Sequence, residues 1–167
     1  MIHFESKRLL FRDHVPGDLE PYCEMESDAE YRSPQIVHPR AKLERAFWNA
    51  ELPVKSLGLL ATVLKADGTY IGRTGLYPYR TDDGEIVPGQ AWLAYYIARP
   101  FWRRGYAGEA ARAFVRYGFE SLALQHIHGG TSPSNVASLC ILEGLGMVRV
   151  SDGLYRLSRE QWLSRPE

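Results

Sequence analysis

Apolar positions along this chain change period several times, and each change marks a new element. Arg8-Leu-Leu-Phe-Arg12 puts Leu9 and Phe11 on one face of a first strand. Val15-Pro-Gly-Asp18 then turns the chain into a helix running from Leu19 to Met25. Pro34 and Pro39 mark residues 31–40 as a loop, while Leu43, Ala46, Phe47 and Ala50 form a helical stripe over residues 42–51. The runs 57–65 and 69–77 flank Ala66-Asp67-Gly68, a hairpin signal. Residues 79–89, polar and containing Gly84 and Pro88, read as a second turn into the run Trp92–Ala98, which Pro100 ends. Ala107, Ala110, Ala111, Phe114, Val115 and Gly118 recur at spacings of three and four, the apolar face of an amphipathic helix reaching Glu120. A strand follows over Gln125–Thr131, then a helix capped by Ser134 or Asn135 and ended by Gly144 or Gly146. Asp152-Gly153 joins two last short strands, 148–150 and 154–157, and Ser158-Arg-Glu-Gln161 has capping-box spacing for a terminal helix.

Antiparallel hairpins followed by a strand, a loop and a helix predict an α/β (α+β) fold of mixed type. The expected centre is a mostly antiparallel sheet of about six or seven strands flanked by helices, not a doubly wound sheet. With no repeat, low-complexity tract or linker, residues 1–167 are expected to form a single domain. A formal net charge of zero implies no general attraction to nucleic acid or to an anionic membrane. Apolar runs such as 56–63 are too short to span a bilayer, no signal-peptide core opens the chain, and a cytoplasmic location with Cys23 and Cys140 reduced is expected. His126 and His128 share a strand face, but no third ligand has suitable spacing, so no metal is expected.

The candidate chemistry centres on Trp92–Glu120. There a buried strand delivers a loop with Gly105, Ala107 and Gly108 into a helix start. The first turn of a helix carries unpaired N–H groups and the positive dipole end, and small residues let an anion approach them. Arg103 and Arg104 add cationic donors. An ordinary strand-to-helix turn with solvated arginines has the same local features, so the rest of the chain decides between them. Neither a Walker A pattern nor Gly-x-Gly-x-x-Gly occurs, which argues against nucleotide hydrolysis and dinucleotide redox chemistry.

Trp102-Arg-Arg-Gly-Tyr-Ala107 resembles the acyl-CoA pyrophosphate loop of the GNAT superfamily of N-acetyltransferases. That loop reads Gln or Arg, two residues, Gly, one residue, then Gly or Ala; Gly105 and Ala107 match, and Trp102 takes the first position. Asn135, Ser138 and Leu145-Gly146-Met147 resemble the superfamily's second cofactor motif, with Met147 for the usual Phe. Three further features are similar to the branch that acetylates ribosomal-protein N-termini (RimJ/RimL-like). They are the opening Lys7-Arg-Leu-Leu-Phe-Arg12 with Asp18, the Glu-Ala after the loop, and the ending Tyr155-Arg-Leu-Ser with Glu160 and Trp162. The resemblance covers nearly the whole chain, in order. It implies a GNAT-like acyl-CoA N-acyltransferase fold with acetyl-CoA as co-substrate and an amine, on a peptide N-terminus or a small molecule, as acceptor. The protein would work as a monomer or homodimer. The pyrophosphate would sit on the backbone from Arg103 through Arg104, Gly105, Tyr106 and Ala107 to Gly108. The pantetheine would lie against Tyr96, Ile97 and Ala98 and be hydrogen-bonded by Asn135. A helix-loop-helix after the first strand would cover the acceptor, with Tyr31 and Trp92 as substrate-side residues.

The chain departs from that family at two chemical positions. The Tyr that commonly protonates the departing sulfur is replaced by Leu142, which leaves Ser138, water or nothing for the role. The Glu that can serve as base is replaced by Trp92, which leaves Glu85 or Asp83 in the preceding loop, or a water, and suggests a more apolar acceptor pocket. A non-catalytic acyl-CoA-binding protein of the same fold is therefore the other reading. A thiolate is a good leaving group, which favours the enzyme.

Overall fold

The computed structural model describes residues 1–28, 38–48 and 57–165. Its strands are β1 (Ile2–Glu5), β2 (Leu9–Arg12), β3 (Gly58–Leu64), β4 (Tyr70–Arg80), β5 (Ile86–Ile97), β6 (His126–Gly130), β7 (Val148–Ser151) and β8 (Leu154–Ser158). The helices are α1 (Leu19–Ser27), α2 (Arg40–Trp48), α3 (Tyr106–Glu120), α4 (Val136–Gly144) and α5 (Arg159–Leu163). The strands form one sheet in the order β1-β2-β3-β4-β5-β6-β8-β7. Neighbours are antiparallel throughout except β5 and β6, which run parallel.

Two features differ from the sequence reading. Strand β1 was not anticipated, because Ile2-His-Phe-Glu is short and exposed apart from Phe4, which packs on Phe11, Phe114 and Tyr117. The polar stretch 79–89 is mostly paired strand rather than turn. Strand β4 continues to Arg80 and β5 begins at Ile86, so only residues 81–85 turn, closed by Thr81 N–H on the Glu85 carbonyl at 2.9 Å. This hairpin end is largely exposed, and polar side chains there are compatible with a paired backbone.

The faces of the sheet bury different helices. Helix α3 lays Ala110, Ala111, Phe114, Val115 and Phe119 onto Leu9, Phe11, Ile71, Leu76, Leu93 and Ile97. A Cβ at Gly118 would lie 2.9 Å from Ile127 and from Leu76, so its absence lets α3 press onto the strands. On the other face, α1 and α2 contribute Tyr22, Cys23, Met25, Leu43 and Phe47 against Ala61, Val63 and Tyr70. The entry to α1 is fixed by Asp18, only 3% exposed, which accepts two bonds from the Arg12 guanidinium at 2.6 and 2.8 Å and one from Val15 N–H. Burying these charges is tolerable because they are paired and hydrogen-bonded.

One irregularity positions the site. Strands β5 and β6 pair only from Gln90↔His126 to Trp92↔His128. Beyond that β6 continues against β8, while β5 continues against β4 alone. Helix α4 follows β6 and packs hard onto it: a Cβ at Gly129 would come 2.6 Å from Leu142, a side chain only 1% exposed. The sheet therefore opens at its centre.

The close approach of β3 and β4 gives a direct stability test. A Cβ at Gly75 would stand 1.9 Å from the Gly58 carbonyl oxygen, a backbone atom that cannot rotate away. Gly75→Ala is expected to lower unfolding free energy by about 1–3 kcal/mol or more, read from the urea midpoint. An unchanged midpoint would contradict the described strand packing.

Candidate active site

After Ile97 the chain makes a single 3-10 turn, Arg99–Phe101, and enters α3 through a loop with two left-handed residues, Arg103 (φ +60°) and Gly105 (φ +77°). Gly105 is the N-cap of α3 and supplies no side-chain cap. The first helical bond runs from Glu109 N–H to the Gly105 carbonyl at 3.0 Å. The N–H groups of Tyr106, Ala107 and Gly108 consequently have no acceptor one turn back, at the positive end of a fifteen-residue helix.

A chain segment about a hundred residues away holds this loop. Glu109 accepts from Ser6 Oγ and Arg8 N–H, both at 2.7 Å, and from Arg8 Nε at 2.6 Å. Arg8 also donates to the Arg104 carbonyl at 3.0 Å and lies 4.4 Å over the Tyr106 ring. Burial alone would raise the Glu109 pKa, but the bonds from Ser6 and Arg8 outweigh it and hold the carboxyl below its ordinary range. These partners were missed from sequence, since nothing local links Ser6 and Arg8 to Glu109.

The opening between β5 and β6 is a cleft of about 1030 Å³ that meets this helix start at one end. Strand alternation settles which backbone groups face it. Ala98 N–H donates to the Ile71 carbonyl at 2.8 Å, so the backbones of Ala98, Tyr96 and Ala94 are turned to β4. The intervening residues face the opposite way, where β6 no longer pairs. The Leu93 carbonyl, both groups of Tyr95 and the Ile97 N–H thus border the cleft, with no strand opposite among the described residues. The Ile97 carbonyl, on the same edge, accepts from Trp102 Nε1 at 2.6 Å.

Across the cleft, Asn135 caps α4 by accepting Ser138 N–H on its side-chain oxygen at 3.1 Å. The Ser138 hydroxyl lies 2.6 Å from that of Tyr95. Burial pushes the Tyr95 phenol above its ordinary pKa, against an opposing pull from the Ser138 hydrogen bond. At the far mouth stand Tyr77, Trp92 and Tyr96. Trp92 packs near Tyr79 and His128, each with centroids at 5.6 Å, and Tyr79 stacks on His128 at 4.1 Å. His128 bonds Gln90 through Nε2 at 2.7 Å, and burial first, then Arg156 and His126, lowers its pKa to about 4. It is therefore neutral at neutral pH. None of the described residues lining the cleft is Asp, Glu or His.

Most of the residues singled out from sequence meet in this one place. Arg103, Gly105, Tyr106, Ala107, Gly108, Asn135, Ser138, Trp92, Tyr96 and Ile97 all line the cleft. Ala98 is not on the open edge, because its N–H is spent on the Ile71 carbonyl of β4, and the Arg104 carbonyl is held by Arg8. Glu85 is not brought in: it is exposed on the 81–85 turn, where its N–H bonds Thr81 Oγ1 at 3.2 Å. Six residues of β5, 86–91, separate it from Trp92, up to about 23 Å at strand rise. Leu142 points into the core rather than the cleft. Tyr31 lies outside the described residues. Tyr95 was not singled out from the sequence; its contact with Ser138 joins positions 43 apart and has no local signature.

Residues 8–148 match the family model of the acetyltransferase (GNAT) domain, and the chain belongs to that family. It is 26% identical over 157 residues to the uncharacterized N-acetyltransferase p20 of Bacillus licheniformis, covering 90% of this chain and 84% of that protein. It is 29% identical over 116 residues to FsC-acetyl coenzyme A-N(2)-transacetylase of Aspergillus fumigatus, covering 59% of this chain and 49% of that protein. The chain thus spans about half the length of the fungal relative. The crystal structure of a GNAT-family acetyltransferase from Bacillus anthracis superposes with a TM-score of 0.79 at 22% identity, covering 96% of this chain and 99% of that one.

The pinned loop gives the second prediction. Glu109→Ala leaves Ser6 and Arg8 without their acceptor and is expected to cost about 1–3 kcal/mol at neutral pH. Glu109 has a lowered pKa in the folded chain, so its contribution is present above the unfolded carboxyl pKa and lost as pH falls through the folded value. The difference between wild type and variant should therefore shrink in acid. Urea midpoints at a series of pH values check this, and a gap that widens in acid would contradict the assignment.

Proposed function

We propose that the chain is an N-acetyltransferase that moves the acetyl group of acetyl-CoA to a primary amine by direct attack in a ternary complex. The amine belongs to a peptide N-terminus or a small molecule. One observation carries this reading: the unpaired β5 edge at Tyr95 and Ile97 and the open N–H groups of α3 border a single cleft. A pantetheine arm carries amides that suit an unpaired strand edge, and a pyrophosphate suits a helix N-terminus. Seated this way, the thioester reaches the Tyr95–Ser138 pair. An edge N–H is available to the developing oxyanion, and holding the two substrates side by side supplies much of the acceleration. The finer assignment to ribosomal-protein N-termini rests on the opening, loop and ending motifs of the sequence.

The acceptor enters from the mouth bounded by Tyr77, Trp92 and Tyr96. Aromatic walls without a carboxylate favour an amine next to an apolar or aromatic body, with cation–π contact while it is charged. A densely cationic polyamine finds no matching charge among the described lining residues. With no carboxylate or imidazole among the described lining residues, a water takes the proton from the attacking amine in this reading. The same lack of a base among the described lining residues favours the second reading, an acyl-CoA-binding protein without catalysis. Release of free CoA, followed with peptides, polyamines and amino sugars as acceptors, separates the two. Acetyl-CoA that raises the melting temperature while no acceptor releases CoA would leave the binding protein as the function.

Two variants test the halves of the cleft. Gly105→Val forces a β-branched residue to a φ of +77° and should weaken acetyl-CoA by at least about tenfold, on the order of 1.4 kcal/mol. Equal affinities by calorimetric titration would remove the phosphate-loop assignment. Trp92→Ala should raise the acceptor KM with only a modest change in the urea midpoint. A loss of about 3–5 kcal/mol with unchanged KM would make Trp92 a packing residue instead.

A further inference from the structure

We propose that Tyr95 is the acid that protonates the departing CoA sulfur, with Ser138 holding its hydroxyl in position, an assignment that rests on the acetyl-transfer reading above. The position on α4 that could have carried an acid is Leu142, which is 1% exposed and packs under Gly129. The remaining cleft-side hydroxyl of α4, Ser138, is bonded to a group on β5, and the geometry points to that group. Tyr95 lies past the last β5–β6 pair, within the unpaired stretch, and its phenol reaches α4 to within 2.6 Å of Ser138 Oγ. The Ser138 backbone is itself fixed by the Asn135 cap, and the residue is only 8% exposed.

Four other hydroxyls lining the cleft are less well placed. Tyr106 lies at the helix start under the Arg8 guanidinium, at the phosphate end. Tyr77 and Tyr96 occupy the opposite sheet face, at the acceptor mouth. Ser134 is exposed and bonds Ser132 at 2.8 Å.

The proton inventory closes. The amine nitrogen forms the C–N bond to the thioester carbonyl carbon, the C–S bond breaks, and its electron pair stays on sulfur. If Ser138 donates to Tyr95 Oη, the phenol's own proton is free to point at the sulfur. That proton passes to sulfur and gives free CoA thiol and a phenolate. The proton lost by the amine nitrogen returns to the phenolate through water and Ser138. Burial raises the phenol's pKa, so it holds its proton at neutral pH, while the Ser138 hydrogen bond acts in the opposite direction and stabilises the phenolate that the transfer leaves.

The test compares Tyr95→Phe with Ser138→Ala, measuring kcat, acetyl-CoA Kd and the solvent deuterium isotope effect on kcat, with urea midpoints as the folding control. Tyr95→Phe should lower kcat by about a hundredfold, the lower end for proton transfer, while Kd changes by less than about twofold. The isotope effect should fall toward unity, which a purely structural role for the ring would not produce. Ser138→Ala should lower kcat less, by roughly tenfold, because it removes the positioning bond and leaves the acid. Unchanged kcat in Tyr95→Phe, a Kd loss equal to the kcat loss, or a larger effect from Ser138→Ala each overturns the assignment. Wild-type protein that binds acetyl-CoA and never releases CoA overturns the transfer reading and this one with it. Wild-type turnover with an unimpaired Tyr95→Phe overturns this one alone.

Discussion

Every backbone N–H and C=O in a sheet needs a partner, and in this fold β5 loses one on one side just past Trp92. The candidate site follows from that loss. A strand edge in the middle of a sheet is normally covered, and leaving it open is costly unless something else pairs with it. Here α4 packs on β6 through Gly129 and draws that strand to β8, while β4 holds the other edge of β5 through a long ladder. The open groups are therefore presented by a rigid strand, not by a loop. Trp102 takes the last carbonyl of the edge, which leaves the Leu93 carbonyl, both groups of Tyr95 and the Ile97 N–H for a guest.

The chain has no net charge, so under the proposed function its attraction for a phosphate has to be local. The first turn of α3 and Arg103 beside it would supply it. The bonds of Glu109 to Ser6 and Arg8 make that turn a fixed object, because they tie the loop to the β1–β2 connection across the edge of the molecule. An acidic residue in the first turn also suits the helix dipole. One carboxylate thus serves the helix and the loop together, and it leaves the three N–H groups in front of it unfilled.

Much of the fold, and most of the residues that line the candidate cleft, could be read from the sequence. Period and turn chemistry located the Asp67-Gly68 and Asp152-Gly153 hairpins, the α3 stripe and the Ser158–Gln161 capping box, because these signals are local. The Gly105-Tyr-Ala-Gly108 loop was visible for the same reason, since its conformation depends on small residues at fixed positions. Properties set by tertiary pairing were not visible. Polar residues 79–89 look like a turn, yet β4 runs on to Arg80 and β5 starts at Ile86, with Arg80 paired to Ile86, and Glu85 stays on the exposed turn beyond them. Tyr95 gains its meaning only from Ser138 on another element, and Glu109 only from a strand connection about a hundred residues earlier. Such contacts leave no period in the sequence.

The central claim is that the open β5 edge receives the acyl-CoA arm, and residue-resolved amide hydrogen exchange reads it directly. On addition of acetyl-CoA, the Tyr95 and Ile97 amides should gain protection together with those of Tyr106, Ala107 and Gly108. The Tyr96 and Ala98 amides, already bonded to β4, should change little. Binding that leaves Tyr95 and Ile97 exchanging as before, with protection appearing elsewhere, would contradict the account.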